Sequence, residues 1–280
     1  MQKFVAFAAS LVLAGCSPAA VLNAVSGSSD VVETRDLAYG PLPRHQYDLY
    51  MPVGDDGSTP LVVFIHGGSW KEGDKGIYRF LGTALGERGY AVAVPNYRLF
   101  PEVLFPDFVE DAALATAHLM EEGRPVVLMG HSAGAHIAGL LAWDGRYLAA
   151  QGQDACALSG VIGVSGPYEF LPPGPTIRDI FPEERLADSQ PINFAEGPAV
   201  PTLLLHGIAD ETVHVEDTEL MADALEAAGN PVEARLYDGV GHIEIIGAMS
   251  PLLTSRAPTL ADVTDWLNAQ RAAGWPGCGG

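Results

Sequence analysis

A serine between two glycines is the residue with the clearest chemical potential in this 280-residue chain. Ser132 lies in the stretch GHSAG (130–134), after the apolar run PVVLMG and before a run of small residues. A serine hydroxyl is a weak nucleophile at neutral pH unless a neighbouring base accepts its proton. The strand, turn and helix pattern predicts a nucleophile elbow, where side chains at 130 and 134 would collide with neighbouring elements. The alternative is an unreactive hydroxyl in a tight turn.

The stretch FIHGGSW (64–70) follows another apolar run and contains paired glycines. Acyl transfer passes through a tetrahedral intermediate whose oxyanion needs preorganised N–H donors, each worth about 3–4 kcal/mol of the barrier. We expect the N–H groups of Gly68 and Ala133 to be the main donors, with Gly67 shaping the turn. His66 is expected to orient the loop rather than act as a base. The alternative is a plain glycine turn.

An acid and a base follow later in the chain. Asp210 lies four residues beyond the apolar run TLLLH, and His242 follows the run VEARLY through a glycine-rich loop. The aspartate would hold the histidine in the correct tautomer and stabilise its cation. The chain order Ser132, Asp210, His242 is the order typical of nucleophile-elbow hydrolases. Asp217 and Asp238 are the rival acids.

A metal site is the alternative use of the same region. His206, Asp210 and His214 are spaced by four residues and would share one face of a helix. The run TLLLHG predicts a strand instead, and Gly207 interrupts the pattern. The sequence therefore favours no metal, and it implies no organic cofactor.

Alternating strands and helices would position these residues. Short runs rich in Val, Leu and Ile are typical of strands buried on both faces of a mainly parallel sheet. Two earlier stretches alternate and suit antiparallel edge strands. Strand and helix repetition predicts an α/β fold: an eight-stranded, mostly parallel sheet flanked by helices in a three-layer sandwich. The predicted strands are 31–39, 45–50, 61–65, 90–95, 125–130, 158–166, 202–206 and 232–237.

Three amphipathic helices are predicted between the strands. They cover residues 105–120, residues 214–228 and the segment after Pro258. The inner faces of the first and last carry Phe108, Ala112, Ala115 and Leu119, and Leu260, Val263, Trp266 and Leu267. The inner face of the second is predicted to carry Leu220, Met221, Ala224, Leu225 and Ala228.

With these motifs assembled, residues 31–273 resemble the α/β-hydrolase superfamily. The chain is most similar to bacterial carboxylesterases grouped with feruloyl and acetyl-xylan esterases, and to kynurenine formamidases, whose pattern includes a tryptophan like Trp70. The resemblance implies an α/β-hydrolase domain and a serine triad, but the fold hosts many acyl-transfer reactions. The supporting stretches are HGGSW (66–70), NYRL (96–99), GHSAGAH (130–136), GVIGVSGPYEF (160–170), HGIADETV (206–213) and GVGH (239–242).

The sequence and the resemblance together predict a serine carboxylic-ester hydrolase that acts through an acyl-enzyme on small neutral esters. A proline-rich insertion at 171–201, with Trp70 and Tyr168, is expected to line the substrate pocket. One alternative keeps the chemistry and changes the bond, giving an N-formyl amide hydrolase. Another is a non-catalytic, lipid-anchored binding protein on a hydrolase fold.

The N-terminal stretch MQKFVAFAASLVLAGC predicts export. Its apolar run is too short to span a bilayer, which is typical of a secretory signal over residues 1–15. The ending LAGC resembles the lipobox of bacterial lipoproteins, which implies lipidation of Cys16 and, with Ser17, an outer-membrane anchor on the periplasmic side. The alternative is ordinary cleavage a few residues later. A flexible tether is predicted at 16–30 and a flexible tail at 274–280.

Charge and cysteine content limit the partners. Thirty-five acidic residues against fifteen basic ones give a formal charge of −20. Such a surface repels phosphate backbones, which argues against a nucleic-acid partner and against strongly anionic substrates. Cys156 and Cys278 remain after Cys16, and an oxidising periplasm would allow them to pair. The sequence does not give the distance between them or the oligomeric state.

Overall fold

An eight-stranded sheet forms the middle layer of the computed structural model, which describes residues 18–278. The strand order is β1-β2-β4-β3-β5-β6-β7-β8. β2 is antiparallel to β1 and to β4, and all other neighbours are parallel. The predicted sheet is therefore confirmed. Its strands are β1 (Val31–Ala38), β2 (Gln46–Pro52), β3 (Leu61–Ile65), β4 (Ala91–Pro95), β5 (Val126–His131), β6 (Gly160–Val164), β7 (Thr202–Gly207) and β8 (Val232–Tyr237).

Helices cover both faces of the sheet. Alternate strand residues pack to opposite sides: Val63 belongs to one hydrophobic cluster, and Val62 and Phe64 belong to the other. The first cluster is completed by α3, α4 and α6, and the second by α1, α2, α7 and α8. The helices are α1 (Pro18–Ala24), α2 (Arg79–Gly86), α3 (Asp107–Met120), α4 (Ala133–Trp143), α5 (Arg146–Ala150), α6 (Val215–Ala227), α7 (His242–Gly247) and α8 (Thr259–Ala272).

The inner face of α6 differs from the predicted one. Met221 and Leu225 are buried, whereas Leu220 is 47% exposed and Ala228 also faces solvent. The helical period places Thr218, which is buried, on the face of Met221 and Leu225, and it turns Leu220 away from them. The predicted inner faces of α3 and α8 are confirmed, since all eight side chains are buried.

The segment predicted as a tether contains a helix. In α1, the side chain of Leu22 packs into the second hydrophobic cluster. Asn23 fixes the helix to the start of α2, because its Oδ1 accepts the N–H of Phe80 and its Nδ2 donates to the carbonyl of Gly76. Tertiary contacts thus order residues whose composition favours flexibility. No helix among the described residues is long and apolar enough to cross a membrane.

The signal peptide and the lipidated Cys16 lie outside the described residues, so both stay predictions. The other two cysteines lie inside them and form a disulfide. Cys156 and Cys278 are 122 positions apart, and their Cα atoms are 5.0 Å apart. The bond ties the predicted tail to the loop before β6.

We expect Cys278→Ser to lower the free energy of unfolding by about 2–4 kcal/mol, because the cross-link restricts a long loop of the unfolded chain. Urea denaturation of both proteins, with and without a reducing agent, measures the effect. Reducing agent should destabilise the wild type to the level of the variant and leave the variant unchanged. Equal stability of the two proteins without reductant would contradict a disulfide that contributes to the fold.

Candidate active site

Ser132 occupies a sharp turn between β5 and α4. Its backbone has φ 56° and ψ −124°, a conformation that non-glycine residues rarely adopt and that costs roughly 1–3 kcal/mol. A Cβ on Gly130 would lie 2.2 Å from the carbonyl oxygen of Gly134, and one on Gly134 would lie 2.0 Å from that of Ile65. The predicted collisions at 130 and 134 are therefore confirmed. The Ser132 N–H donates to the Val164 carbonyl at 2.9 Å, which holds the turn against β6.

The glycine loop after β3 passes directly beside this turn. A Cβ on Gly67 would lie 2.8 Å from the carbonyl oxygen of His131 and 3.2 Å from the Cβ of Ser132, so a larger residue would push the loop away from the turn. Gly68 has φ +122°, and a Cβ there would lie 2.0 Å from the carbonyl oxygen of Glu72. Ala133 is the first residue of α4, where backbone N–H groups have no partner within the helix. The two predicted donors thus flank the serine from β3 and from α4.

His66 and Tyr78 hold the glycine loop. The ring of His66 stacks on Tyr97 at 4.3 Å and its Nδ1–H donates to the Gly67 carbonyl. Burial lowers the pKa of His66 to about 4, so the ring is neutral, as suits the predicted orienting role. Burial raises the pKa of Tyr78 to about 12, although a hydrogen bond from the Gly67 backbone opposes the shift. The N–H groups of Gly68 and Ala133 stay the predicted oxyanion donors.

His242 and Asp210 form a hydrogen-bonded pair at the carboxyl edge of the sheet. His242 begins α7, and its Nδ1–H donates to Asp210 Oδ2 at 2.7 Å. The other carboxylate oxygen accepts the N–H groups of Thr212 and Val213, both at 2.9 Å. Because Nδ1 is occupied, Nε2 is the imidazole nitrogen that can accept a proton. Ser132 and His242 line the same cavity.

Sequence reasoning did not identify the histidine that supports this pair. His206 is fully buried, and its Nε2 lies 3.4 Å from Asp210 Oδ2 while it donates to the Val213 carbonyl. Burial alone would raise the pKa of Asp210, but hydrogen bonds from His206 and His242 hold it well below its usual range. The aspartate is therefore ionised. Within residues 18–278 no group of three or more His, Cys, Asp or Glu side chains is arranged to hold a metal ion.

The two rival acids occupy other positions. Asp217 Oδ1 accepts the N–H groups of Tyr168 and Glu169 at 2.9 Å and thereby fixes the loop after β6. Asp238 is exposed in the turn after β8. The geometry favours Asp210 as the partner of His242.

Ser132 lies where two cavities meet. The first, which we call the catalytic cavity, has a volume of about 360 Å³ and is lined by Gly67, Gly68, Ser132 and His242. The second, which we call the insertion cavity, has a volume of about 470 Å³ and is lined by Trp70 and Ser132. The predicted proline-rich insertion adds Pro172, Gly174, Thr176 and Ile177 to its wall. Trp70 is held there by donating Nε1–H to His136 and by packing against Phe181.

The prediction that Tyr168 contacts substrate was wrong. Its side chain has no exposed surface, and its ring packs against Trp143 at 5.6 Å. The ring fills space that Gly163 leaves, since a Cβ there would lie 1.9 Å from the Tyr168 hydroxyl. The tyrosine is therefore part of the core beneath α4.

Comparison with known proteins places the chain in a family. The family model BD-FAE matches residues 47–225, a segment that includes Ser132 and Asp210. The chain belongs to the BD-FAE family. His242 lies beyond the matched segment of this BD-FAE chain, so its assignment depends on the geometry above.

Individual relatives agree with this placement. The BD-FAE chain is 31% identical over 268 residues to isoprenylcysteine alpha-carbonyl methylesterase of Arabidopsis thaliana, a match that covers 84% of this chain and 62% of the relative. It is 27% identical over 227 residues to kynurenine formamidase of Danio rerio, with 75% of each covered. The chain thus spans about three fifths of the length of the plant relatives.

A solved structure confirms the α/β-hydrolase fold. A crystal structure of inhibited esterase B from Lactobacillus rhamnosis superposes with a TM-score of 0.75 at 20% identity. The match covers 91% of this chain and 94% of that one. Structural similarity at 20% identity establishes the fold alone, so the chemistry has to be argued from the site residues.

Three buried histidines surround the site in neutral form. The rings of His131 and His242 lie 4.7 Å apart in a tilted arrangement, and the His131 Nε2–H donates to the carbonyl of His242 at 3.0 Å. Burial lowers the pKa of His131 to about 3 and those of His66 and His136 to about 4. His136 accepts the Trp70 N–H at Nδ1 and donates Nε2–H to Ser189, so protonation would break the first bond.

We expect the free energy of unfolding to fall steeply as the pH drops below about 6.5. These histidines become protonated in the unfolded chain at that pH, whereas in the folded protein they stay neutral. Each histidine contributes up to about 1.4 kcal/mol per pH unit, and its contribution is fully present above pH 6.5. Urea denaturation between pH 7 and pH 5 measures the slope. His136→Gln, which retains a donor for Ser189, should remove one histidine's share of that slope.

Ser255→Ala, an exposed change that removes no titratable group, provides the control and should leave the slope unchanged. An unchanged slope in His136→Gln would show that this histidine is protonated equally in both states.

Proposed function

We propose that this protein is a serine carboxylic-ester hydrolase that forms an acyl-enzyme on Ser132. The observation that carries the proposal is the strained elbow at Ser132. Ser132 lines the same cavity as His242, and His242 is hydrogen-bonded to the buried Asp210. A strained serine backbone persists only where the surrounding structure imposes it, and such strain clusters at functional sites.

The proposed reaction begins with proton transfer. His242 Nε2 accepts the proton of Ser132 as its oxygen attacks the ester carbonyl carbon. The N–H groups of Gly68 and Ala133 stabilise the oxyanion, and the ionised Asp210 stabilises the imidazolium. His242 then protonates the leaving alcohol. Water attacks the acyl-enzyme by the same route and restores the serine.

The names of the relatives support ester hydrolysis as the reaction. The plant relatives are called methylesterases, and a relative in Mycobacterium tuberculosis, 27% identical over 250 residues, is called an esterase. We therefore propose a small-molecule ester as the substrate. Trp70 and Ile177 give the insertion cavity apolar walls, and the carboxylates of Glu169 and Asp217 in its lining disfavour an anionic substrate, so we propose a neutral one.

We expect Asp210→Asn to lower kcat/KM on p-nitrophenyl acetate by about 10⁴-fold, since loss of the carboxylate leaves His242 in the wrong tautomer and its cation unstabilised. A fluorophosphonate probe should label the wild type and fail to label Ser132→Ala. Asp238→Asn, an exposed carboxylate change after β8, is the matched control and should retain full activity. Equal labelling of Ser132→Ala and the wild type would exclude Ser132 as the nucleophile. An unlabelled wild type would favour a non-catalytic binding protein.

A second candidate function is hydrolysis of an N-formyl amide. Trp70 lines the insertion cavity beside Ser132, and the zebrafish relative is called a kynurenine formamidase. The same serine, base and donors would serve either bond.

Parallel kcat/KM values on p-nitrophenyl acetate and N-formylkynurenine separate the two candidates. We expect the ester to be hydrolysed at least tenfold faster, because an alcohol leaves more readily than an amine. Ser132→Ala should abolish both activities, which ties each rate to the same site. A higher value for the formyl amide would replace the ester as the proposed substrate.

A further inference from the structure

A third cavity, of about 480 Å³, adjoins the catalytic cavity on the side away from the insertion. We call it the apolar chamber. Its walls come from Leu22 of α1, Phe80 of α2, Ile246 of α7 and Leu253 of the following loop. It shares Ile77, Tyr78, His131 and Ile243 with the catalytic cavity, so the two spaces adjoin along these four residues.

The chamber has few groups that would recognise a polar ligand. Its only charged lining residues are Glu244 and Arg256, which lie 3.8 Å apart with roughly half or more of each side chain exposed. Glu244 also accepts the N–H of Gly241 and so belongs to the cap of α7. Its two rings with polar atoms are His131, which uses its Nε2–H on the carbonyl of His242, and Tyr78, whose hydroxyl accepts a hydrogen bond from the Gly67 backbone.

Large aliphatic side chains at the mouth face water. Ile243, next to His242 in α7, is 65% exposed, and Ile77 is 38% exposed. Exposed aliphatic surface beside a concave apolar site is typical of a ligand-binding groove, because a bound apolar group covers it. The insertion cavity contrasts with this surface, since Glu169 and Asp217 contribute carboxylates to its lining.

We propose that the apolar chamber binds the hydrocarbon chain of the ester, so that the preferred substrates carry an extended apolar chain on their acyl or alcohol side. The occupant follows from adjacency: Tyr78 and Ile243 line both the chamber and the cavity that contains Ser132, so the chamber is the neighbouring apolar space for a chain that leaves an ester carbonyl at Ser132. The inference rests on the proposed function and narrows its substrate class from small neutral esters in general.

The test is the dependence of kcat/KM on chain length in two series. One series is the p-nitrophenyl esters from acetate to octanoate, and the other is the acetate esters of alcohols from ethanol to octanol. In one series we expect kcat/KM to rise by up to about fourfold per methylene, which corresponds to about 0.8 kcal/mol for each buried CH₂. The series that rises identifies which side of the ester enters the chamber.

A variant that fills the chamber tests the location. A Cβ on Gly247 would meet only Leu253 Cδ1, at 3.4 Å, so a larger side chain there projects into the chamber. We expect Gly247→Leu to lower the ratio of long-chain to acetate kcat/KM at least tenfold. Gly145→Leu is the matched control, because Gly145 has φ −57° and a Cβ there meets nothing within 4 Å. This control should keep the wild-type ratio.

Binding of esters to Ser132→Ala measures the contribution of the chamber to affinity without turnover. Calorimetry should show that ethyl hexanoate or hexyl acetate, whichever carries its chain on the side that enters the chamber, binds this variant more tightly than ethyl acetate does, and that adding Gly247→Leu removes the difference. Flat kcat/KM in both series, or a long-chain preference that survives Gly247→Leu, would overturn the chamber and leave ester hydrolysis standing. Absence of any ester hydrolysis would overturn the proposed function, while equal binding of ethyl acetate, ethyl hexanoate and hexyl acetate would independently overturn the chamber.

Discussion

The close approach of three backbones at Ser132 is the constraint on which the site depends. Gly130 lets β5 meet the first turn of α4, and Gly134 lets α4 meet the end of β3. A side chain at either position would drive these segments apart by more than an ångström, because the obstructing atoms are backbone. The same approach that exposes the serine also brings the Gly67-Gly68 loop beside it. The proposed nucleophile and the proposed oxyanion donors are therefore positioned by one packing arrangement.

The charge at the site depends on burial in a similar way. Asp210 is buried, which by itself disfavours its ionised form, yet two backbone N–H groups and two histidines direct hydrogen bonds to it. A carboxylate that accepts this many hydrogen bonds keeps its charge. His206 and His131 in turn fix the two sides of the pair, one at the carboxylate and the other at the carbonyl of His242. The base is thus held at both ends.

The residues that sequence reasoning could find are those at strand ends. Ser132, Asp210 and His242 follow β5, β7 and β8, and a parallel sheet brings such ends to one edge. Strand positions were predictable because buried parallel strands have continuous apolar runs. His206 was found only as a rejected metal ligand, because its role depends on a contact across the loop after β7. Tyr168 was misplaced because its inward direction depends on the space left by Gly163.

Tyr78 and the apolar chamber left no signal of this kind. The walls of the chamber combine residues from α1, α2 and α7 with the segment that begins at Lys75, and no local sequence pattern links those positions. The N-terminal helix shows the difficulty most clearly, because its composition predicts a tether whereas Leu22 closes one side of the chamber. Ser132 therefore stands between two walls of different origin. The insertion supplies a mixed, partly acidic one, and α1 with α7 supplies an aliphatic one, so the two walls differ in polarity on either side of the proposed nucleophile.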